Sequence, residues 1–178
     1  ASCADYNPRV RLVSCLLAIA TLGLGEGVAH AQTRASVLFV GNSFTYGAGS
    51  AVRFYRADSV TDLNADGIGG VPALFKSFAD QAGLDYDVYL ETRGNTGLDF
   101  HLENKLGVIG KRPWDVVVMH GYSTLDSDKP GDPAKLIATS RQMAEFLRHR
   151  NPKVAIHLVA TWSRADQAAR DVRAAYDK

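Results

Sequence analysis

The chain has 178 residues, with 20 Lys and Arg against 19 Asp and Glu and a formal net charge of +1. So balanced a composition offers no basic field for nucleic acid and no charge block suited to a membrane surface or an acidic partner. Both cysteines, Cys3 and Cys15, fall near the N-terminus. The rest of the chain therefore has no disulfide, no thiolate metal site and no cysteine nucleophile.

Arg9 and Arg11 precede an apolar run from Leu12 to Leu24, and Ala29-His30-Ala31 and Gln32 follow. A positive flank, a short apolar centre and an A-x-A exit predict a secretory signal peptide over residues 1–31. The run falls short of the ~20 apolar residues that a membrane span needs. Residues 1–8 do not resemble a signal n-region and read as upstream read-through. Leu12-Val13-Ser14-Cys15 has the form of a lipoprotein box, but it stands before the apolar run rather than after it. Removing 1–31 takes away two basic and two acidic residues, so the net charge stays at +1. The 147 residues from Gln32 onward suffice for one α/β domain with its own core. The expected location is periplasmic or extracellular, with no membrane attachment after processing.

Val37-Leu38-Phe39-Val40 is a continuous apolar run ended by Gly41-Asn42, the pattern of a strand buried on both faces. Residues 46–70, rich in Gly, Asp and Ser, read as a long loop. Pro72 is expected to open a helix at its first position. Val71, Leu74, Phe75, Phe78, Ala79 and Ala82 follow at helical spacing, and Gly83 closes it. Tyr86, Val88 and Leu90 alternate with Asp87, Tyr89 and Glu91 as a second strand. Asp115 to His120 forms a third, and Val154 to Ala160 a fourth. Helices are predicted from Pro133 to His149 and from Ala165 to Tyr176. Strands alternating with helices at this spacing predict a doubly wound, flavodoxin-like parallel α/β sheet. Ligands of such sheets sit beyond the carboxyl ends of the strands. The segments to search are 41–46, 92–101, 121–128 and 161–166.

Ser43 follows the first strand directly, in Gly41-Asn42-Ser43-Phe44-Thr45. A serine at a sharp strand-to-helix turn exposes its oxygen, and its N–H can face a developing oxyanion. The same residues also suit a helix cap or a phosphate-binding turn. Gly-Asn-Ser-Phe-Thr resembles block I, Gly-Asp-Ser-Leu, of the SGNH/GDSL hydrolases, with Asn42 in place of the family's Asp and Phe44 in place of its Leu. The resemblance implies an esterase that forms an acyl-enzyme on Ser43, with no cofactor and no metal. Carbohydrate-linked or small acyl esters are the implied substrates. Arg93-Gly94-Asn95-Thr96-Gly97 looks like the block II turn, whose glycine N–H donates to the oxyanion. Gly94 is favoured for that role, and Gly97 is the alternative, otherwise read among the substrate contacts. After the third strand the family has Gly-x-Asn-Asp, where this chain reads Met119-His120-Gly121-Tyr122-Ser123-Thr124. Ser123 or His120 then takes the place of the Asn donor.

The family's base belongs to an Asp-x-x-His block, and none of His30, His101, His120, His149 and His157 has Asp three residues before it. The resemblance therefore implies a base beyond Lys178 and a domain incomplete at its C-terminus, unable to turn over as it stands. Asn42, His101, His120 and Trp162 are read as substrate contacts, with a structural role for His101 as the alternative. A non-catalytic ligand-binding domain of the same fold remains the rival reading. Asp62-Leu63-Asn64-Ala65-Asp66-Gly67 copies the start of a calcium loop, but Ala73 stands where the bidentate Glu belongs, so a solvated Asp/Gly loop is expected there.

Overall fold

The computed structural model describes residues 34–159. The predicted signal peptide, the last helix and Trp162 lie outside the described residues. Five strands form one parallel sheet: β1 (Ala35–Gly41), β2 (Thr61–Asp62), β3 (Tyr86–Thr92), β4 (Val116–Met119) and β5 (Ala155–Leu158). Their order across the sheet is β2-β3-β1-β4-β5. The chain thus steps from β1 to one edge, returns beside it, and then crosses to its other side. That reversal puts the crevice at the carboxyl end of β1, between β3 and β4. Register fixes the depth of the three ends, since Gly41 pairs with Thr92 and Val40 with Met119.

Helices cover both faces, as the apolar strand pattern requires. Leu38 and Val40 of β1 point to one side and join Val117, Met119, Leu136, Met143 and Leu147. The helices on that side are α3 (Leu98–Asn104), α4 (Leu106–Ile109) and α5 (Ala134–Arg150). Val37 and Phe39 point to the other side, with Val88, Leu90 and Phe75. Phe75 belongs to α2 (Gly70–Gln81). This helix ends as its sequence predicts. Gly83 adopts φ +70°, its N–H bonds to the Asp80 carbonyl, and the Leu84 N–H bonds to that of Ala79. These two bonds make a Schellman close.

Three expectations are corrected. The segment 46–70 is not one loop, because it holds two short 3₁₀ turns, Ala51–Phe54 and Ala57–Ser59, and the edge strand β2. Pro72 stands third in α2 rather than first, a position whose N–H has no intrahelical partner either. The third strand begins after Asp115, whose carboxylate instead accepts from the N–H and hydroxyl of Ser36 at 2.8 and 2.7 Å. Among the described residues no helix is long and apolar enough to cross a membrane.

Candidate active site

Ser43 opens the short helix α1 (Ser43–Tyr46) directly beyond β1 and is half-buried. Its setting is built by Asn42. That side chain is 4% exposed, and its Oδ1 accepts the Phe44 N–H at 3.1 Å, an N-cap bond. Its Nδ2 donates to the carbonyls of Thr96 at 3.0 Å and Gly121 at 2.9 Å. One amide therefore ties the turn after β1 to the turns after β3 and β4. Gly41 is needed for close approach rather than for a special φ. A Cβ there would lie 2.1 Å from Thr45 Oγ1 and 3.3 Å from the His120 Cβ.

The remaining predicted residues lie on these same turns. Gly94 is half-buried, and a Cβ on it would meet the Tyr46 hydroxyl at 2.6 Å. Gly97 is buried beneath the Tyr122 ring, 2.4 Å from its would-be Cβ. Ser123 is half-buried, two residues past the carbonyl that Asn42 holds. His120 follows β4, and its N–H bonds to the Val40 carbonyl at 2.9 Å. Its ring stands edge-on to Phe44 with centroids 5.5 Å apart. Burial drives this imidazole down to about 4, so it is neutral at pH 7. Its Nε2 is buried without a hydrogen-bond partner among the described residues.

Three substrate contacts expected from the sequence are corrected. Asn42 is buried with its amide fully engaged, which makes it a brace of the turn. Gly97 is shielded by Tyr122. His101 is fully buried; its Nδ1 bonds to Glu91 Oε2 and its Nε2 lies 3.1 Å from the Gly41 carbonyl oxygen. Of the two readings offered for His101, these bonds support the structural one.

Glu91 was missed by sequence reasoning. Its position on the polar side of an alternating strand suggests a solvated face, yet it is fully buried. Burial pushes its carboxyl up, but the His101 hydrogen bond and charge, the Asn64 amide and Lys105 together outweigh that and hold it below its ordinary value. Asn64 Nδ2 donates to Glu91 Oε1 at 3.1 Å and to the Thr92 carbonyl at 3.0 Å, while Lys105 Nζ donates to Asn64 Oδ1 at 2.7 Å. The signal available was topological. A parallel strand covered on both faces cannot leave a carboxylate unpaired.

The calcium-like segment has other work. Asp62 accepts from the backbone N–H groups of Asn64, Asp66 and Ile68, and Asn64 turns to Glu91.

No protein-family model and no curated protein sequence matches the chain. Solved structures do. TesA superposes with a TM-score of 0.59 at 18% identity, over 78% of this chain and 67% of TesA. LAE5, an α/β hydrolase from the metagenome of Lake Arreo, Spain, gives 0.53 at 18% identity, over 80% and 69%. A mutant of Axe2, an acetyl-xylooligosaccharide esterase from Geobacillus, gives 0.51 at 17% identity, over 80% and 67%. The likeness spans about two thirds of each of these enzymes. At such identities it is a likeness of fold, and the chain has the α/β fold of the SGNH/GDSL hydrolases.

Proposed function

We propose that the domain hydrolyses a carboxylic ester through an acyl-enzyme on Ser43. The observation that carries this reading is the construction of the turn. A half-exposed serine stands at the carboxyl edge of the sheet, at the switch point between β3 and β4, on a turn braced from both neighbours by a buried amide. In the first step the Ser43 oxygen attacks the ester carbonyl carbon, the serine proton passes to a general base, and the alcohol departs. Water then cleaves the acyl-enzyme. Gly94 and Ser123 are the proposed oxyanion donors.

His120 supports a donor role better than a basic one. A conjugate acid with a pKa of about 4 takes little of a serine proton at pH 7, whereas a neutral imidazole still carries one N–H to donate. His101 is committed to Glu91 and Gly41. As the resemblance implies, the proposed general base belongs to an Asp-x-x-His block outside the described residues. Carbohydrate or small acyl esters are the proposed substrates, in keeping with the acetyl-xylooligosaccharide esterase that shares the fold. Export through the segment 1–31 belongs to the same proposal.

The test is labelling by a fluorophosphonate probe followed by peptide mapping. In a full-length protein that supplies the base, Ser43 should be modified, and Ser43→Ala should abolish labelling in a protein that unfolds at the wild-type temperature; the present chain should be labelled weakly or not at all. Modification confined to another serine would refute the assignment.

A further inference from the structure

The Glu91–His101 pair takes no direct part in the chemistry proposed above, yet it touches the nucleophile turn. His101 Nδ1 faces a carboxyl oxygen of Glu91, and its Nε2 faces the carbonyl oxygen of Gly41. A carboxylate and a carbonyl both accept, so a neutral imidazole with a single N–H satisfies only one of them. Two protons must be distributed over the pair, either both on the ring or one on each residue. Lys105 Nζ at 3.7 Å and Asn64 Nδ2 at 3.1 Å from Glu91 Oε1 favour the carboxylate, and hence the doubly protonated ring. Among the described residues, the ring's other contacts are weaker proton acceptors. Thr96 Oγ1, 3.5 Å from Nε2, itself donates to the Arg93 carbonyl at 2.8 Å, and Phe100 stands edge-on to the ring.

We propose that His101 is a positioning residue. Doubly protonated and held by Glu91, it anchors the Gly41 carbonyl and thereby the Asn42–Ser43 peptide. Gly41 is the last residue of β1, and its carbonyl already receives the Arg93 N–H at 3.0 Å. A second donor that carries charge makes a hydrogen bond roughly twice as strong as a neutral one. The carbonyl can then turn neither toward the cleft nor away from β3. The functional meaning of this anchor rests on the Ser43 reading, whereas the proton count and the anchor itself do not.

The experiment is long-range ¹H–¹⁵N correlation of the histidine rings in the full chain, with two variants. The wild-type His101 should show two protonated nitrogens at pH 7. Glu91→Gln should leave one, on Nε2, because the glutamine amide can donate to Nδ1 while Nε2–H stays on Gly41. The backbone amide signals of Asn42, Ser43 and Phe44 should therefore hold their positions in Glu91→Gln. They should shift in the double variant Glu91→Gln/His101→Phe, which removes the anchor without leaving a buried carboxylate unpaired. Since a displacement of ~1 Å at a reacting group costs about 10²-fold in rate, Ser43 labelling should fall by roughly that factor in the double variant. In Glu91→Gln it should stay near the wild-type rate. A wild-type ring with a single protonated nitrogen overturns the proposal, and so do unmoved Asn42–Phe44 signals in the double variant. If the double variant does not fold, the wild-type ring spectrum alone decides. A full-length protein, with its base present, that is not labelled at Ser43 counts against the hydrolase reading, and the ring spectra then decide the anchor.

Discussion

Replacing Asn42 tests how the site is held together, and two substitutions separate its two jobs. Asn42→Ala removes an N-cap, about 1 kcal/mol, and leaves the buried carbonyls of Thr96 and Gly121 without their donor, at about 1 kcal/mol or somewhat more each. The expected loss is about 3–4 kcal/mol. For a domain of this size that lowers the unfolding temperature by roughly 10 °C. Asn42→Asp is the sharper experiment. Aspartate caps a helix as well as asparagine does and matches it in size, but it places an acceptor against two carbonyl oxygens. If capping dominated, the Asp variant would be nearly neutral. The two donated bonds predict instead a loss at least as large as that of Asn42→Ala. Urea unfolding followed by circular dichroism, with midpoints compared at unchanged slope, measures both. Wild-type stability in Asn42→Asp beside a clear loss in Asn42→Ala would refute the bracing argument.

Gly41→Ala should cost about 1–3 kcal/mol through overpacking against Thr45, since the new Cβ would lie 2.1 Å from Thr45 Oγ1. Adding Thr45→Ala should recover part of that in thermal unfolding, and no recovery would trace the loss to the backbone instead. Ser36 holds the Asp115 carboxyl below its ordinary value through its N–H first and its hydroxyl second. A depressed carboxylate contributes stability that is present above its unfolded pKa and lost as pH falls through its folded one. Ser36→Ala should therefore cost about 1 kcal/mol or less at pH 7, Asp115 being exposed, and the gap to wild type should narrow on acidification; a gap equally wide at pH 2 and pH 7 would contradict this. Expressed with a start codon in a Gram-negative host, the protein should mature to begin at Gln32. Exported protein whose N-terminal sequence retains Leu12–Leu24 would refute the signal reading.

Much of the sheet was legible because β1, β3 and β4 are apolar on the faces that helices must cover. Val37 to Val40 could be nothing but a buried strand, and the turn at Gly41 followed from where that run stops. Strand β2 was not legible. Two residues, Thr61 and Asp62, carry no period, and their pairing is dictated by the open edge of β3 rather than by their own side chains. Helix α3 escaped for a similar reason. Its buried positions, Leu98 and His101, are too few to mark a helical stripe, and one of them is polar. At the site the nucleophile turn was readable, but the division of labour was not. Asn42, Gly97 and His101 are polar or small residues near a cleft, and sequence alone does not say whether such residues face substrate or face inward. Burial decides it, and burial follows from which turns the topology brings together.

The Asn at position 42, where the motif it resembles has Asp, becomes intelligible in those terms. An Asp can cap α1 but has no N–H for the carbonyls of Thr96 and Gly121, so a turn built on Asp must satisfy those groups in another way. Here one neutral amide reaches both neighbouring turns, while His101, paired with Glu91, contacts the Gly41 carbonyl. Two devices thus hold the turn that carries Ser43, and both are buried. A nucleophile gains from such fixing because a group already in position does not have to be reoriented as the reaction proceeds. Substitutions that remove either anchor, at Asn42 or His101, should accordingly act on the rate of Ser43 chemistry and on stability together. Substitutions at residues that touch only substrate should change affinity and leave the fold intact.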